Sequence, residues 1–154
     1  MTGGLSIRLK PHEKFLINGA VIENGDRRTK FYVRSPDVNI LRLRDALHPS
    51  EATTPVKMLY YKAQLVVIGD ITPSEGTHQL IPGLRALDGV FPPAEYGVTI
   101  DAAVAAVSNG EFYKAMKQLK SLFPVEEQLL IIARAKGINT VPEVVQECSN
   151  RQSA

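Results

Sequence analysis

The chain has a single cysteine, Cys148, and no apolar run close to the roughly 20 residues that a membrane-spanning helix requires. One cysteine cannot form an internal disulfide bond. The N-terminus, Met-Thr-Gly-Gly-Leu-Ser, has no basic segment leading into an apolar core, so a secretory signal peptide is not expected. Together these absences predict a cytoplasmic protein that does not enter a membrane.

Motifs of catalysis and cofactor binding are also missing. The chain has no Gly-x-Ser-x-Gly, no Walker-type phosphate loop and no Rossmann glycine pattern. Its three histidines, His12, His48 and His78, do not stand at metal-ligand spacing from another histidine, a cysteine or a carboxylate. Asp101 fits the first turn of a helix, where a carboxylate favours the helix dipole. We therefore expect no enzyme, no metal and no cofactor.

The distribution of charge is uneven although the net charge is only +2. Residues 1–45 hold nine Lys or Arg against five Asp or Glu, whereas residues 46–154 hold nine against eleven. A basic surplus confined to one part of a chain can mark a nucleic-acid face. An ordinary soluble surface explains the surplus equally well, so charge alone leaves both interpretations open.

Short antiparallel strands are predicted before residue 45. Apolar and polar residues alternate from Leu5 to Lys10, which is the period of a half-buried strand, and Pro11 ends it. A turn is expected at Asn24-Gly-Asp26, because Asn and Gly tolerate positive φ. Further strands are predicted over 15–18, 20–23, 30–34 and 38–44. The result is a small β module over residues 4–45.

Helical periodicity replaces this alternation beyond residue 50. Thr54 followed by Pro55 predicts a helix start, and Gly69 its end. A loop is expected over 70–77 and an interruption at Pro92-Pro93. Further helices are predicted over 77–90, which Pro82-Gly83 could end early, from a cap at Thr99 to Gly110, over 111–123 and over 126–136.

These helices form a predicted helical module over residues 50–140, followed by a frayed tail over 141–154. The 44% hydrophobic content supplies a folded core. Strands that come first and helices that follow predict an α+β fold rather than an alternating α/β fold.

Outward-facing side chains on three predicted strands form the candidate site. If those strands pair, the side chains gather on one sheet face or edge, with no acidic residue at the matching positions. Lys and Arg contact phosphates, and Tyr can stack on an unpaired base. The candidate RNA-binding residues are Arg8, Lys10, Lys30, Tyr32, Arg34, Arg42 and Arg44, and Arg27 and Arg28 could extend the patch. The alternative is that strands simply expose polar side chains to water.

The predicted helix over 111–123 has two distinct faces. Lys114, Lys117 and Lys120 recur at spacing three, which is typical of a solvated helix face. If the β face is not the RNA-binding site, these lysines are the next candidate. The opposite stripe is apolar and is most simply core. It could instead be a groove for a partner helix.

Four segments, in this order, resemble the FlbT family of flagellin-expression regulators. They are Leu9-Lys-Pro-His-Glu-Lys14, Ile17-Asn-Gly-Ala-Val-Ile-Glu-Asn-Gly-Asp26, Glu51-Ala-Thr-Thr-Pro55 and Gly110-Glu-Phe-Tyr-Lys-Ala-Met-Lys-Gln-Leu-Lys120. The resemblance runs from about Leu5 to Leu130. It implies a post-transcriptional regulator that acts on the 5′ untranslated leader of flagellin mRNA and affects its translation and decay. The alternative is a non-enzymatic adaptor or chaperone that binds flagellin or another flagellar protein through apolar helical surfaces.

The β end is also similar in layout to CsrA-type translational regulators, small β proteins that interleave strands in a dimer and bind leader RNA at their outer strands. In them an Arg before an acidic residue ends the last strand. Here Arg44 before Asp45 matches best, with Arg42 as the rival, and residues 6–9 match the first-strand contact region. The helical module departs from that pattern. Because about 40 residues bury little apolar surface alone, the β module must pack on its own helices or on a second copy through open strand edges, and we favour a homodimer.

Overall fold

The computed structural model describes residues 5–137, which form five strands followed by five helices. The strands are β1 (Leu5–Leu9), β2 (Lys14–Ile17), β3 (Ala20–Glu23), β4 (Thr29–Val33) and β5 (Ile40–Arg42). The helices are α1 (Pro55–Val67), α2 (Pro73–Leu87), α3 (Pro93–Ser108), α4 (Phe112–Ser121) and α5 (Phe123–Ala135). This order confirms the predicted α+β class. The expected tail over 141–154 lies outside the described residues.

The strands form two small antiparallel sheets. One pairs β1 with β4, and the other has the order β3-β2-β5. The strands that carry the candidate basic residues therefore do not share one sheet, because β5 pairs with β2. The predicted strand over 38–44 is also too long, since the chain enters a 3-10 turn over Leu43–Asp45.

The three-stranded sheet lies between the two-stranded sheet and the helices. Phe15 packs with Ile7 and Leu9 of β1 in a small cluster of three buried residues. Leu41, on the opposite side of the sheet, belongs to the main core, which contains nineteen buried residues. Most of the buried apolar surface is therefore helical, and the strands are stabilised by packing against it.

The apolar stripe of α4 is part of this main core. Phe112, Ala115, Met116 and Leu119 are all at most 5% exposed. The stripe is therefore covered by other parts of the same chain, and it does not form an open groove for a partner helix. Among the described residues no helix is both long enough and apolar enough to cross a membrane.

Three helices begin earlier than predicted, and two of them, α2 and α3, begin with proline. Thr72 caps α2 through a reciprocal pair of hydrogen bonds with Glu75, so the expected loop over 70–77 is mostly helix. Pro93 opens α3, and Thr99 lies inside that helix rather than at its cap. Proline suits the first helical position because its missing N–H would have no partner there. The helix predicted from 126 likewise begins earlier, at Phe123.

Pro82 lies within α2 without ending it. Its ring is exposed, while Leu80, Leu84 and Leu87 of the same helix are buried in the main core. Burial of these leucines offsets the hydrogen bond that proline cannot donate.

Asn24 acts differently from the expected turn residue. Asn24 does not have positive φ. Asn18 and Gly19, with φ of 48° and 85°, make the separate hairpin turn between β2 and β3. Asn24 is buried, and its side-chain amide donates to the carbonyls of Lys10 and Arg27, both at 2.8 Å. Asn24 therefore ties the loop after β3 to the end of β1.

Candidate nucleic-acid interface

A groove of about 450 Å³ opens where the end of β1, the start of β4 and the end of β5 meet. We call it the basic groove. The cations that line it are Arg8, Lys10, Arg28, Lys30, Arg42 and Arg44. One carboxylate, that of Glu13, lines it as well. Five of the seven candidate residues thus come together, although they belong to two different sheets.

One wall of the groove, which we call the strand wall, consists of Arg8, Lys10, Arg28 and Lys30. Arg8 lies directly opposite Lys30 in the β1–β4 register. Because neighbouring side chains of a strand alternate, both point away from the buried Ile7 and Leu9. Like charges directly opposite each other destabilise a sheet. None of the four cations forms an ion pair within the described part of the chain.

The other wall, which we call the β5 wall, consists of Arg42 and Arg44. Arg42 Nη1 lies 3.1 Å from Glu13 Oε1, and Arg44 Nη1 lies 3.5 Å from the same oxygen. The Arg42 side chain is only 23% exposed and that of Glu13 only 9%. Arg42 does lie on the face opposite Leu41, as predicted, but the expectation that it is an exposed, unpaired cation is wrong. It is wrong because Phe15 lies opposite Arg42 across β2 and β5, which brings Glu13 within reach.

Glu13 is held in its ionised form. The backbone N–H of Lys10 donates to its Oε2 at 2.8 Å. This hydrogen bond, together with the charges of Arg42 and Arg44, lowers the pKa of Glu13 below its ordinary value of 4.5. The basic groove thus contains one built-in anion, which lies against the β5 wall. Sequence reasoning misses it, because no local pattern connects Glu13 with residues 29 positions away.

A second hollow, of about 550 Å³, shares Arg42 and Arg44 with the basic groove and extends to α4. Its other cations are Lys114 and Lys117. Two members of the lysine stripe, predicted as a separate candidate, therefore join the same basic surface. The third member, Lys120, is directed to Asp45, with its Nζ 3.3 Å from Oδ1.

Asp45 ties the end of the β5 wall to the helices. Its carboxylate accepts hydrogen bonds from the hydroxyl of Tyr113 and from Lys120, and its carbonyl accepts one from the hydroxyl of Tyr60. Burial opposes ionisation of Asp45, but the Tyr113 hydrogen bond and Lys120 outweigh it and lower the pKa. Burial, with the charge of Asp45, raises the pKa of Tyr60 to about 12. Both tyrosines thus remain hydrogen-bond donors at neutral pH.

The two remaining candidates lie outside the groove. Tyr32 is 61% exposed, and Lys30 Nζ lies 4.9 Å from the centre of its ring, so it stands beside the strand wall. Arg34 follows Val33, which pairs with Leu5 at the far end of β1 from the groove. Arg27 also does not line the groove, whereas Arg28 does. The RNA-binding role of all these residues stays a prediction.

The expectation that no metal is bound stays a prediction as well. Across residues 5–137, no group of three or more His, Cys, Asp or Glu side chains is placed to hold a metal ion.

Comparison with known proteins gives a consistent match. The family model described as flagellar protein FlbT matches residues 5–130. A probable flagellum biosynthesis repressor protein of Bradyrhizobium diazoefficiens is 34% identical over 128 residues, which are 81% of this chain and 84% of that protein. The protein of the same description from Rhodopseudomonas palustris is 35% identical over 127 residues, covering 82% and 97% of the two chains.

A further relative, the flagellum biosynthesis repressor protein FlbT of Caulobacter vibrioides, is 29% identical over 126 residues, or 82% of this chain and 89% of that protein. No solved structure matches the chain. The likeness of the β end to CsrA-type regulators therefore stays a prediction.

Proposed function

The chain belongs to the FlbT family, and on this basis we propose that it regulates flagellin synthesis by binding the 5′ untranslated leader of flagellin mRNA in the cytoplasm. The names of its relatives, repressors of flagellum biosynthesis, support a regulatory role. The leader RNA as the target follows from what the family resemblance implies. The basic groove supplies a surface that suits RNA.

The observation that carries this proposal is the strand wall. Four cations converge there without an ion-pair partner in the described chain, and two of them, Arg8 and Lys30, oppose each other directly. Such an arrangement lowers the stability of the isolated protein. Phosphate groups placed between the cations remove the repulsion and release counterions, which is the main source of affinity in binding nucleic acids.

The arrangement suits single-stranded RNA. A groove of cations follows the phosphate backbone, and the exposed ring of Tyr32 beside it can stack on an unpaired base. Binding alone changes the access of ribosomes or nucleases to the leader, so regulation requires no chemical step and no cofactor.

The test is RNA binding by the purified protein over a series of salt concentrations. The variant is Arg8→Glu with Lys30→Glu. Because the two positions are opposite each other, a pair of carboxylates replaces a pair of cations, and the repulsion across the strands stays similar. The fold should therefore be little affected. Affinity for a flagellin leader RNA should fall more than tenfold. The negative slope of log affinity against log salt should become shallower by about two, roughly one for each phosphate that the variant no longer neutralises.

A matched control is Arg134→Glu with Lys136→Glu, which makes the same change in net charge at exposed positions around the end of α5. This variant should bind RNA like the unaltered protein. Equal losses of affinity in both variants would show that only overall charge matters, and the basic groove would then not be the site.

The second candidate function is an adaptor or chaperone for a flagellar protein. With the α4 stripe buried, an apolar helical surface that remains open is that of α5, where Ile131 and Ile132 are 59% and 50% exposed. Tight binding to flagellin, without RNA binding at low salt, would favour this candidate. Replacing both isoleucines by Lys should then abolish binding to flagellin.

We further propose a homodimer. In β3 all four residues are exposed, including Val21 and Ile22, and the strand lies at the edge of its sheet. Pairing of two such edges would place two basic grooves on one particle and raise the affinity for RNA with two sites. Sedimentation equilibrium of the unaltered protein and of Val21→Lys tests this. A monomeric unaltered protein would contradict it.

A further inference from the structure

We propose that the second hollow receives the base of one unpaired nucleotide from the RNA whose phosphates lie in the basic groove. This inference rests on the proposed function and names the part of the RNA that the protein reads. It makes the second hollow a specificity pocket, whereas the basic groove supplies affinity that depends little on sequence.

The first argument is the mixed chemistry of the hollow. Its apolar lining includes Ile7, Val38, Ile40 and Val67. Its cations are Arg42, Arg44, Lys114 and Lys117. A bare anion would make no favourable contact with the apolar lining, and an apolar peptide would leave the four cations without an anionic partner. A nucleotide uses both, because its base is flat and largely apolar on its faces while its phosphate is anionic.

The second argument is size and position. A volume of about 550 Å³ lies within the range of roughly 300 to 1,000 Å³ that is typical of small-ligand pockets. Because Arg42 and Arg44 line both cavities, an RNA chain that lies in the basic groove can continue directly into the hollow. Ser6 and Asn39 also line it and offer hydrogen-bonding groups for the edge of a base.

The third argument concerns the charges that face the hollow. Its one carboxylate, that of Asp45, is already bound by Tyr113 and Lys120. Lys114 pairs with Glu111 at 3.1 Å, but both side chains are exposed, so that pair is weak. Lys117 Nζ lies 5.6 Å from the centre of the Tyr113 ring. Glu13 also lies against Arg42 and Arg44, at 3.1 and 3.5 Å. Five cations in and beside the hollow, Lys120 included, therefore face three carboxylates, which leaves an excess of positive charge.

The fourth argument is that the walls are fixed before any ligand binds. Asp45 fastens the end of β5 to α4 through Tyr113. Asn39, which lines the hollow, is held by Asn18: its backbone N–H donates to Asn18 Oδ1 at 3.0 Å, and its carbonyl accepts from the backbone N–H of Asn18 at 2.9 Å. A cavity whose walls are already held in place loses little conformational entropy when a ligand enters.

The experiment is a scan of abasic positions through a single-stranded flagellin leader RNA, with affinity measured for each RNA. In the unaltered protein two positions should stand out, each lowering affinity about tenfold or more when its base is removed, because one stacked base contributes that much. One position should become insensitive in Tyr32→Ala, which removes the exposed ring. The other should become insensitive in Val38→Trp, which fills the hollow without changing charge.

The matched control is Val98→Trp, an equal change at a position on α3 that is 81% exposed and lines neither cavity. It should behave like the unaltered protein. If Val38→Trp fails to fold, the scan can be read from the unaltered protein and Tyr32→Ala. The pocket requires one position at which base removal still lowers affinity in Tyr32→Ala, and the absence of such a position overturns it.

Other outcomes separate the two proposals. RNA binding with no sensitive position other than that of Tyr32, or a Val38→Trp variant that keeps the full pattern, overturns the pocket and leaves the basic groove standing. No RNA binding by the unaltered protein at low salt overturns both.

Discussion

The two walls of the basic groove carry cations of the same sign in different surroundings. The strand wall has four cations without an ion-pair partner in the described chain, and Arg8 directly opposes Lys30. The β5 wall has Arg42 and Arg44 around the nearly buried carboxylate of Glu13. The first arrangement reduces the stability of the free protein, and the second is part of how the protein folds.

This difference separates binding residues from structural ones better than charge does. An opposed pair of like charges costs a few tenths to about 1 kcal/mol, which a ligand that supplies anions can offset. A cation that neutralises a nearly buried carboxylate is required even without a ligand, because an unpaired charge in that place is strongly unfavourable. Arg42 therefore serves the fold first, and the strand wall is the better indicator of function.

The largest effect that we expect comes from reversing one charge in the β5 wall. Arg42→Glu places a second carboxylate beside Glu13, so the free energy of unfolding should fall by roughly 2 to 3 kcal/mol. Denaturant unfolding monitored by circular dichroism measures it. Arg8→Glu, the matched change in the strand wall, should stay within about 0.5 kcal/mol of the unaltered protein, as is usual for surface changes.

The comparison of the two walls would be broken if both variants lost the same stability. A second check is the pair Glu13→Arg with Arg42→Glu, which restores an ion pair of opposite orientation. It should recover part of the stability that Arg42→Glu alone loses.

A smaller effect is expected where the β5 wall joins the helices. Tyr113→Phe removes the hydroxyl that donates to Asp45, a loss of about 1 kcal/mol for a partly buried hydrogen bond. Tyr32→Phe, the same change at an exposed tyrosine beside the strand wall, should leave the melting temperature unchanged. A loss of stability in Tyr32→Phe would show that the hydroxyl of Tyr32 contributes a hydrogen bond to the fold.

The sequence predicts the strand wall well because its pattern is local. Alternation along β1 and β4 determines which side chains face outward, and the outward set includes Arg8 and Lys30 whatever strands they pair with. The same reasoning correctly places Arg42 on the face opposite Leu41, but it does not reveal that Arg42 is half-buried and paired with Glu13. Its environment depends on the pairing of β5 with β2 and on a carboxylate 29 residues earlier in the chain, and no local periodicity contains that information.

The helices show the same limit in another form. Thr54 and Pro55 predict the start of α1 correctly, since cap and proline are adjacent in sequence. The predicted starts of α2 and α3 are too late, because prolines that occupy first helical positions can also be interpreted as interruptions. The second hollow is not predicted at all. Its lining comes from β1, from residues in and around β5, from the end of α1 and from α4, which are far apart in the sequence.

The smallest effect concerns the pH dependence of the β5 wall. The pKa of Glu13 in the folded protein lies below its ordinary value of 4.5, so the unfolded chain binds the proton more readily. The stability that Glu13 contributes is therefore fully present above pH 4.5 and is lost as the pH falls through the folded pKa. Glu13→Gln removes this contribution while it keeps the size of the side chain.

The difference in unfolding free energy between the unaltered protein and Glu13→Gln should shrink as the pH is lowered from about 6 to about 3. Asp45, with a lowered pKa, and Glu126, whose pKa burial raises, titrate in both proteins and cancel in the difference. A difference that stays constant over this range would mean that Glu13 acts only through its shape, and the β5 wall would then be no more charge-dependent than the strand wall.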